Sequence, residues 1–227
     1  MRYARTLGIV ALGLVVSTHP LHGQDRARYR DFQLGADVPS VSALTGVAAA
    51  EVKTIHVRPA LMQELQWRRG YSLAAQTDPV QQIVFSFYND QLTKLVVDYD
   101  RERTAGMTDA DMIEAISTAY GAPLKPTLKN TRAVASQVEV ESGAPVARWG
   151  DADYSVGLYR SSYASGFRII VISTRLEALA RTADAQAKRL DEREAPQREI
   201  ARQKKEVEDT RLSQEKARIA NKAAFRP

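Results

Sequence analysis

The sequence predicts an α+β fold of two tandem αβββ units with antiparallel sheets, followed by a long charged C-terminal helix. Three observations carry this expectation. A short helix pattern bracketed by glycines occurs twice, once between Gly35 and Gly46 and again between Gly106 and Gly121. Each is followed by a tryptophan-bearing segment and then by two runs in which apolar residues alternate, the period of a half-buried strand. From Arg175 onward the chain has no glycine and is dense in Ala, Glu, Lys, Arg and Gln, a composition that favours helix.

The chain opens with Arg2 and Arg5, an apolar run over 7–16, then Pro20 and Gly23. This is the pattern of a secretory signal peptide over residues 1–23, with Gln24 as the expected mature N-terminus. The apolar run is about half of the ~20 residues needed to span a bilayer, and nothing later is long and apolar enough to do so. A soluble, periplasmic or secreted protein is therefore expected.

The first unit is expected over residues 24–104. Asp37 suits the N-cap of its helix, Val41 and Leu44 one apolar face, and Gly46 the stop. LMQELQW follows with Trp67; then Ile83, Phe85 and Phe87 alternate, Asn89-Asp90 suits a tight turn, and Leu95, Val97 and Tyr99 alternate back.

The second unit, over 105–174, repeats the plan. Thr108 and Asp111 stand at N-cap and N3 in a box-like start. Met112, Ile116 and Ala119 are expected on one face, with Gly121 and Pro123 ending the helix. Trp149 precedes a hairpin in which Tyr154, Val156 and Leu158 alternate, residues 161–166 loop, and Phe167, Ile169 and Val171 alternate. Val41 lies six residues after Gly35, as Met112 does after Gly106.

The tail, 175–227, places Leu176, Leu179, Ala183 and Leu190 on a rough heptad. Beyond Pro196 only Ile200, Val207, Leu212 and Ile219 remain, with Lys204 and Arg211 where a second apolar seam position should be, so a stable coiled coil is not expected from this segment alone. Glu177 with Arg181, Asp184 with Lys188 and Glu194 with Arg198 are spaced to pair along a solvated helix. An exposed helix without a partner and a partner-binding or oligomerising arm both fit.

Composition bounds the chemistry. There is no cysteine, hence no disulfide, lipid-modified cysteine, thiolate nucleophile or cysteine metal ligand. Residues 24–174 carry 16 Lys/Arg against 17 Asp/Glu, and residues 175–227 carry 14 against 10. The body thus offers no basic surface for nucleic acid. His56 is the one histidine outside the leader, so a two-histidine metal site is excluded, and no GxSxG elbow accompanies it. In KTIHVRP it reads as a structural histidine on a strand before Pro59.

Acids concentrate in VDYDRERTAGMTDAD, with Asp98 and Asp100 on one strand face and Glu102, Asp109 and Asp111 following. The spacing opens like a calcium loop, but Arg103 stands at the sixth position, where glycine is required. Arg101 and Arg103 are expected to pair with these acids instead. No metal and no cofactor are expected, since neither a phosphate-binding nor a dinucleotide-binding glycine loop is present. The candidate binding residues are aromatic: Tyr154, Tyr159, Tyr163 and Phe167 cluster on and around the second hairpin, and YRSSYASGF resembles a recognition loop in composition. The same side chains could instead cover the sheet.

Gly106, Met107 and Thr108, the capped helix with its apolar residue and glycine stop, the tryptophan strand and the alternating hairpin resemble the helix-and-three-strand module of the SmpA/OmlA outer-membrane assembly lipoproteins and of the tandem-repeat β-lactamase inhibitor proteins. The chain departs from both: the lipoprotein cysteine is missing, and the inhibitors carry disulfides. YRDFQLG and DPVQQIVFSFYNDQL resemble a set of exported bacterial proteins, from which no function follows. The resemblance implies a non-catalytic binding or scaffolding protein of the bacterial cell envelope with a protein partner there. The alternatives are an inhibitor-type module that blocks an extracytoplasmic enzyme through its sheet face or hairpin loops, and a carboxylate-dependent hydrolase centred on Asp98 and Asp100.

Overall fold

Gly35 and Gly106 both take positive φ, 88° and 80°, and two residues after each the chain caps a helix. In the computed structural model, which describes residues 26–70, 77–125, 143–160 and 166–226, helix α1 spans Val38–Thr45 and helix α2 spans Asp109–Tyr120. The expected signal peptide, its cleavage site and Tyr163 lie outside the described residues. Asp37 accepts a hydrogen bond from the Ser40 amide at 2.9 Å. Thr108 and Asp111 form a reciprocal box in which each side chain accepts from the other's amide, at 3.2 and 2.7 Å. Gly46 closes α1 in the left-handed region.

The buried faces differ from expectation at one position in each helix. Val38 and Val41 are buried, whereas Leu44 is exposed. A three-residue step at 3.6 residues per turn falls about 60° short of a full rotation, so Leu44 leaves the face that Val38 and Val41 define. On α2, Met112 and Ile116 are buried while Ala119 is exposed, and the larger Ile113 and Tyr120 fill the flanks instead.

Both units feed one antiparallel sheet. Its strands are β3 (Lys53–His56), β4 (Met62–Arg68), β5 (Val80–Tyr88), β6 (Gln91–Tyr99), β7 (Ala144–Gly150), β8 (Tyr154–Arg160) and β9 (Phe167–Ser173). Their order is β3-β4-β5-β6-β9-β8-β7, and a separate ribbon pairs β1 (Arg28–Tyr29) with β2 (Phe32–Gln33). Asn89 and Asp90 both take positive φ in the β5–β6 turn, as a two-residue hairpin of matching twist requires. The units meet where β6 pairs with β9, Val96 standing opposite Ile170. That register makes the sheet pseudo-two-fold: reading outward, Val97, Ile83 and Trp67 in one half correspond to Val171, Val156 and Trp149 in the other.

Alternation sends Leu65, Phe85, Leu95, Val97, Val156, Leu158, Ile169 and Val171 to one face, where they form a single core with Val38 and Val41 of α1 and Met112 and Ile116 of α2. The other face is covered as well. Helix α3 (Thr174–Ala224) starts directly at the end of β9, capped by Ser173, and touches β5, β6, β8 and β9. Its buried Leu176, Ala180, Ala183 and Ala187 form a narrow stripe of mostly small residues, which allows the helix to lie close over buried Ile170 and Tyr159. The heptad expected through Leu179 and Leu190 is displaced, because Leu179 lies about 100° from neighbouring Ala180 and is left exposed. Residues from 174 to about Asp191 therefore belong to the body, and the boundary expected at 175 falls inside the packed structure.

Candidate functional site

Three of the four aromatic residues expected at a recognition surface, Tyr154, Tyr159 and Phe167, are packed instead. Tyr154 and Phe167 belong to the helix-covered core, and Tyr159 is buried on the α3 face. Gly157 explains the last placement: a Cβ there would stand 2.6 Å from the Tyr159 ring, so the bare backbone makes room for the ring to lie on the sheet. Phe167 carries the Arg160 guanidinium 4.2 Å over its ring, and Arg160 in turn holds Asp109 at 2.7 Å. The physical reason for the correction is that both sheet faces are covered, which leaves no solvent-facing row for the tyrosines of β8.

The acidic cluster is likewise occupied. Asp98 accepts from Arg168 at 2.5 Å and from Gln82 at 2.8 Å. Asp100 pairs with Arg69 and accepts from the amides of Glu102 and Arg103 at 2.9 and 3.3 Å. The cations thus come from β9 and from the residue just after β4 rather than from the interleaved Arg101 and Arg103. Burial raises the Asp100 pKa, but Arg69 and the two amides outweigh it and hold the carboxyl below its usual range. A hydrolytic pair needs oxygens free to meet a water or a sugar, and here both carboxylates are bound into ion pairs. Among the described residues no three His, Cys, Asp or Glu side chains converge as a metal site.

Near this end of the sheet lies a tyrosine cluster that sequence reasoning missed, because its members are dispersed along the chain. The Tyr29 and Tyr99 hydroxyls are 3.1 Å apart, and Tyr120 donates to the Arg28 carbonyl at 2.6 Å. Burial pushes Tyr99 well above the ordinary phenol value and raises Tyr29 and Tyr120 too. Arg30 stacks over Tyr29 and clasps Asp78 through two bonds of 2.6 and 2.8 Å. These phenols stay protonated and act as struts, not as bases.

His56 has a structural partner set. Its Nε2 lies 3.4 Å from Asp184 and its Nδ1 3.9 Å from Asp191, both on α3, while Arg58 holds Glu194 at 2.9 Å. The edge strand β3 and the loop after it therefore clamp α3 where it leaves the sheet. Of the pairs expected along the helix, Glu177–Arg181 and Asp184–Lys188 form. The third is exchanged: Glu194 goes to Arg58, and Arg198 goes to Asp191, binding its carbonyl as well as its carboxylate. Pro196 lacks the amide that would close the turn there.

Beyond that clamp every described residue from 195 to 226 is exposed. At a rise of about 1.5 Å per residue, residues 195–224 form an arm of roughly 45 Å. It presents Ile200, Val207, Leu212 and Ile219 to solvent, with Phe225 just past its end. Its ion pairs run within the helix, as between Glu199 and Arg202 or Glu208 and Arg211. Among the described residues no helix is long and apolar enough to cross a membrane.

No protein-family model and no curated protein matches the chain. Among solved structures, a cysteine-rich secretory protein from Staphylococcus aureus is similar to it at 9% identity and a TM-score of 0.31, over 63% of this chain and 44% of that one. A likeness at that level says nothing about fold or activity.

Proposed function

We propose that the protein is an exported, non-catalytic binding or scaffolding component of the bacterial cell envelope. In this reading the two-unit sheet is the platform and the solvated half of α3 meets a protein partner. One observation supports it above others: a single helix is clamped to the sheet through Asp191 and Glu194 and then continues, solvated on all sides, through Ala224. Charged helix without tertiary packing is stabilised only by propensity and local pairs, so a partner surface gives such an arm its use. The inhibitor reading is narrowed, because helices cover both sheet faces and leave only edges, hairpin turns and the arm for contact.

The test is capture from bacterial envelope extract with the full exported chain and with a chain ending at Ala195. Truncation at 195 rather than 175 spares the part of α3 that completes the body. A specific partner lost on this truncation supports the reading; capture unchanged by it moves the binding surface to the body.

A further inference from the structure

The arm carries a seam that a three-residue step reveals and a four-residue step hides. Ile200, Val207, Gln214 and Asn221 recur every seven residues, and Gln203, Thr210, Ala217 and Ala224 follow each by three. These eight positions make one continuous uncharged stripe along an arm otherwise dense in charge. They occupy the a and d positions of a heptad, the ones that face a second helix.

The flanks of the stripe carry opposite signs. Glu199 and Glu206 stand at g, immediately before a; Lys204, Arg211 and Arg218 stand at e, four residues after it. In a parallel pair of identical helices each g residue meets the e residue five positions on in the other chain. Glu199 would then face Lys204 of a second copy, and Glu206 would face Arg211. An antiparallel pair would set glutamate against glutamate and arginine against arginine. From this charge complementarity we propose that the arm self-associates as a parallel helix pair between two copies of this chain.

Two further observations agree. At about 100° per residue, the stripe lies nearly on the opposite side of α3 from the Leu176, Ala180, Ala183 and Ala187 stripe that packs on the sheet. Two bodies therefore fall outside the helix pair, not into it. The charged flanks are engaged in the single chain only by exposed neighbours, Glu199 by Arg202 and Arg211 by Glu208, pairs worth little and cheaply exchanged. With only Ile200 and Val207 as branched apolar residues in the seam, the association is weak and concentration-dependent. Gln214 and Asn221 at a positions favour one register. Leu212 and Ile219 lie off the seam and remain open to another partner.

The inference rests on the arm being the interaction element and adds that one occupant is a second copy. Sedimentation of the exported chain should show monomer passing to dimer into the high-micromolar range. Lys204→Glu with Arg211→Glu and Arg218→Glu should be monomeric throughout, as should Glu199→Lys with Glu206→Lys. Mixing the two variants should restore a heterodimer. Because the chain has no cysteine, Asn221→Cys reports orientation directly: mild oxidation should give covalent dimers, whereas Lys205→Cys, off the seam, should not. A wild-type chain that stays monomeric, a dimer indifferent to the charge reversals, or equal cross-linking at 221 and 205 overturns the proposal. Capture of an envelope partner by a strictly monomeric chain would end the self-pairing alone and leave the binding role standing.

Discussion

Trp67 and Trp149 stand at equivalent points of the pseudo-two-fold sheet: Trp67 opposite Ile83, two strands from Val97, and Trp149 opposite Val156, two strands from Val171. Their burial is not equivalent. Trp149 is wholly buried and donates its Nε1 hydrogen to Ser117 of α2 at 3.2 Å, whereas Trp67 is half-buried. Helix α2, of three turns, reaches its tryptophan through Ser117, whereas α1 has only two turns.

Replacing Trp149 with alanine should therefore cost about 3 to 5 kcal/mol, comparable to the whole stability of an ordinary domain. Trp67→Ala should cost visibly less. Denaturant melts of the two single variants check this, and equal losses would show that the difference in helix length does not govern the two sites.

Two glycines should be intolerant for different reasons. Gly150 has φ of 129°, and a Cβ there would lie 2.2 Å from the Tyr154 carbonyl oxygen, so Gly150→Ala strains the β7–β8 turn at the backbone itself. The three atoms nearest a Cβ at Gly157 all belong to the Tyr159 side chain. Combining Gly157→Ala with Tyr159→Ala should recover part of the loss, whereas no side-chain truncation should rescue Gly150→Ala. Thermal melts of the single and double variants distinguish the two cases.

Much of this architecture was legible because it is written in period and punctuation. Ile83, Phe85 and Phe87 announce a strand face, and Gly35, Asp37 and Gly46 bracket a helix whatever packs on it. Coverage of the second face was harder to see. Its signal lies in the unbroken apolar runs around Val96 and Ile170, which mark strands buried on both sides, and in an alanine stripe on α3 that hydrophobicity alone ranks low. Without that layer Tyr159 reads as a surface residue, whereas Tyr154 and Phe167 are taken up by the core under α1 and α2. The partners of Asp98 and Asp100 were hidden for another reason: Arg168 and Arg69 reach them only through strand register, which no local spacing encodes.

The ion pair between Arg30 and Asp78 predicts an acid limb of stability. The Arg30 guanidinium holds the Asp78 carboxyl below its usual range, so the folded state gives up this proton more readily than the unfolded chain. The stability it adds is present above the ordinary carboxylate value of about 3.9 and is lost as pH falls through the lower folded value. Arg30→Gln should be less stable at neutral pH, and its stability should converge with that of the parent in strong acid. Parallel curves down to low pH would remove Arg30 as the cause.

The tyrosine cluster predicts the opposite limb. Burial holds Tyr99 protonated to higher pH than an unfolded tyrosine, which ionises at about 10. The folded state then binds more protons than the unfolded one above that value, and stability falls as pH rises toward the folded value. Tyr99→Phe should lose about 1 kcal/mol at neutral pH with its hydrogen bond to Tyr29, yet decline less steeply in alkali. Phenolate absorbance followed alongside unfolding checks that ionisation and collapse coincide.

The last prediction divides α3 at the clamp. Among the described residues, ending the chain at Ala195 removes only exposed ones, so the melting temperature of the body should be unchanged within error. Ending it at Ser173 removes Leu176, Ala180, Ala183 and Ala187 and uncovers Ile170 and Tyr159. Exposing one large buried side chain costs about 1.5 to 3 kcal/mol, so losing this layer should unfold the body or reduce it to a state that binds hydrophobic dyes. His56→Ala should fall between these limits: Asp184 and Asp191 lose a shared partner while Arg58 still holds Glu194. Hydrogen exchange should then rise in the stretch of α3 from Asp184 to Glu194 and stay unchanged near Leu176. If the chain ending at Ala195 melts well below the full protein, the arm packs on the body in solution and is not the free element that the binding and self-association readings require.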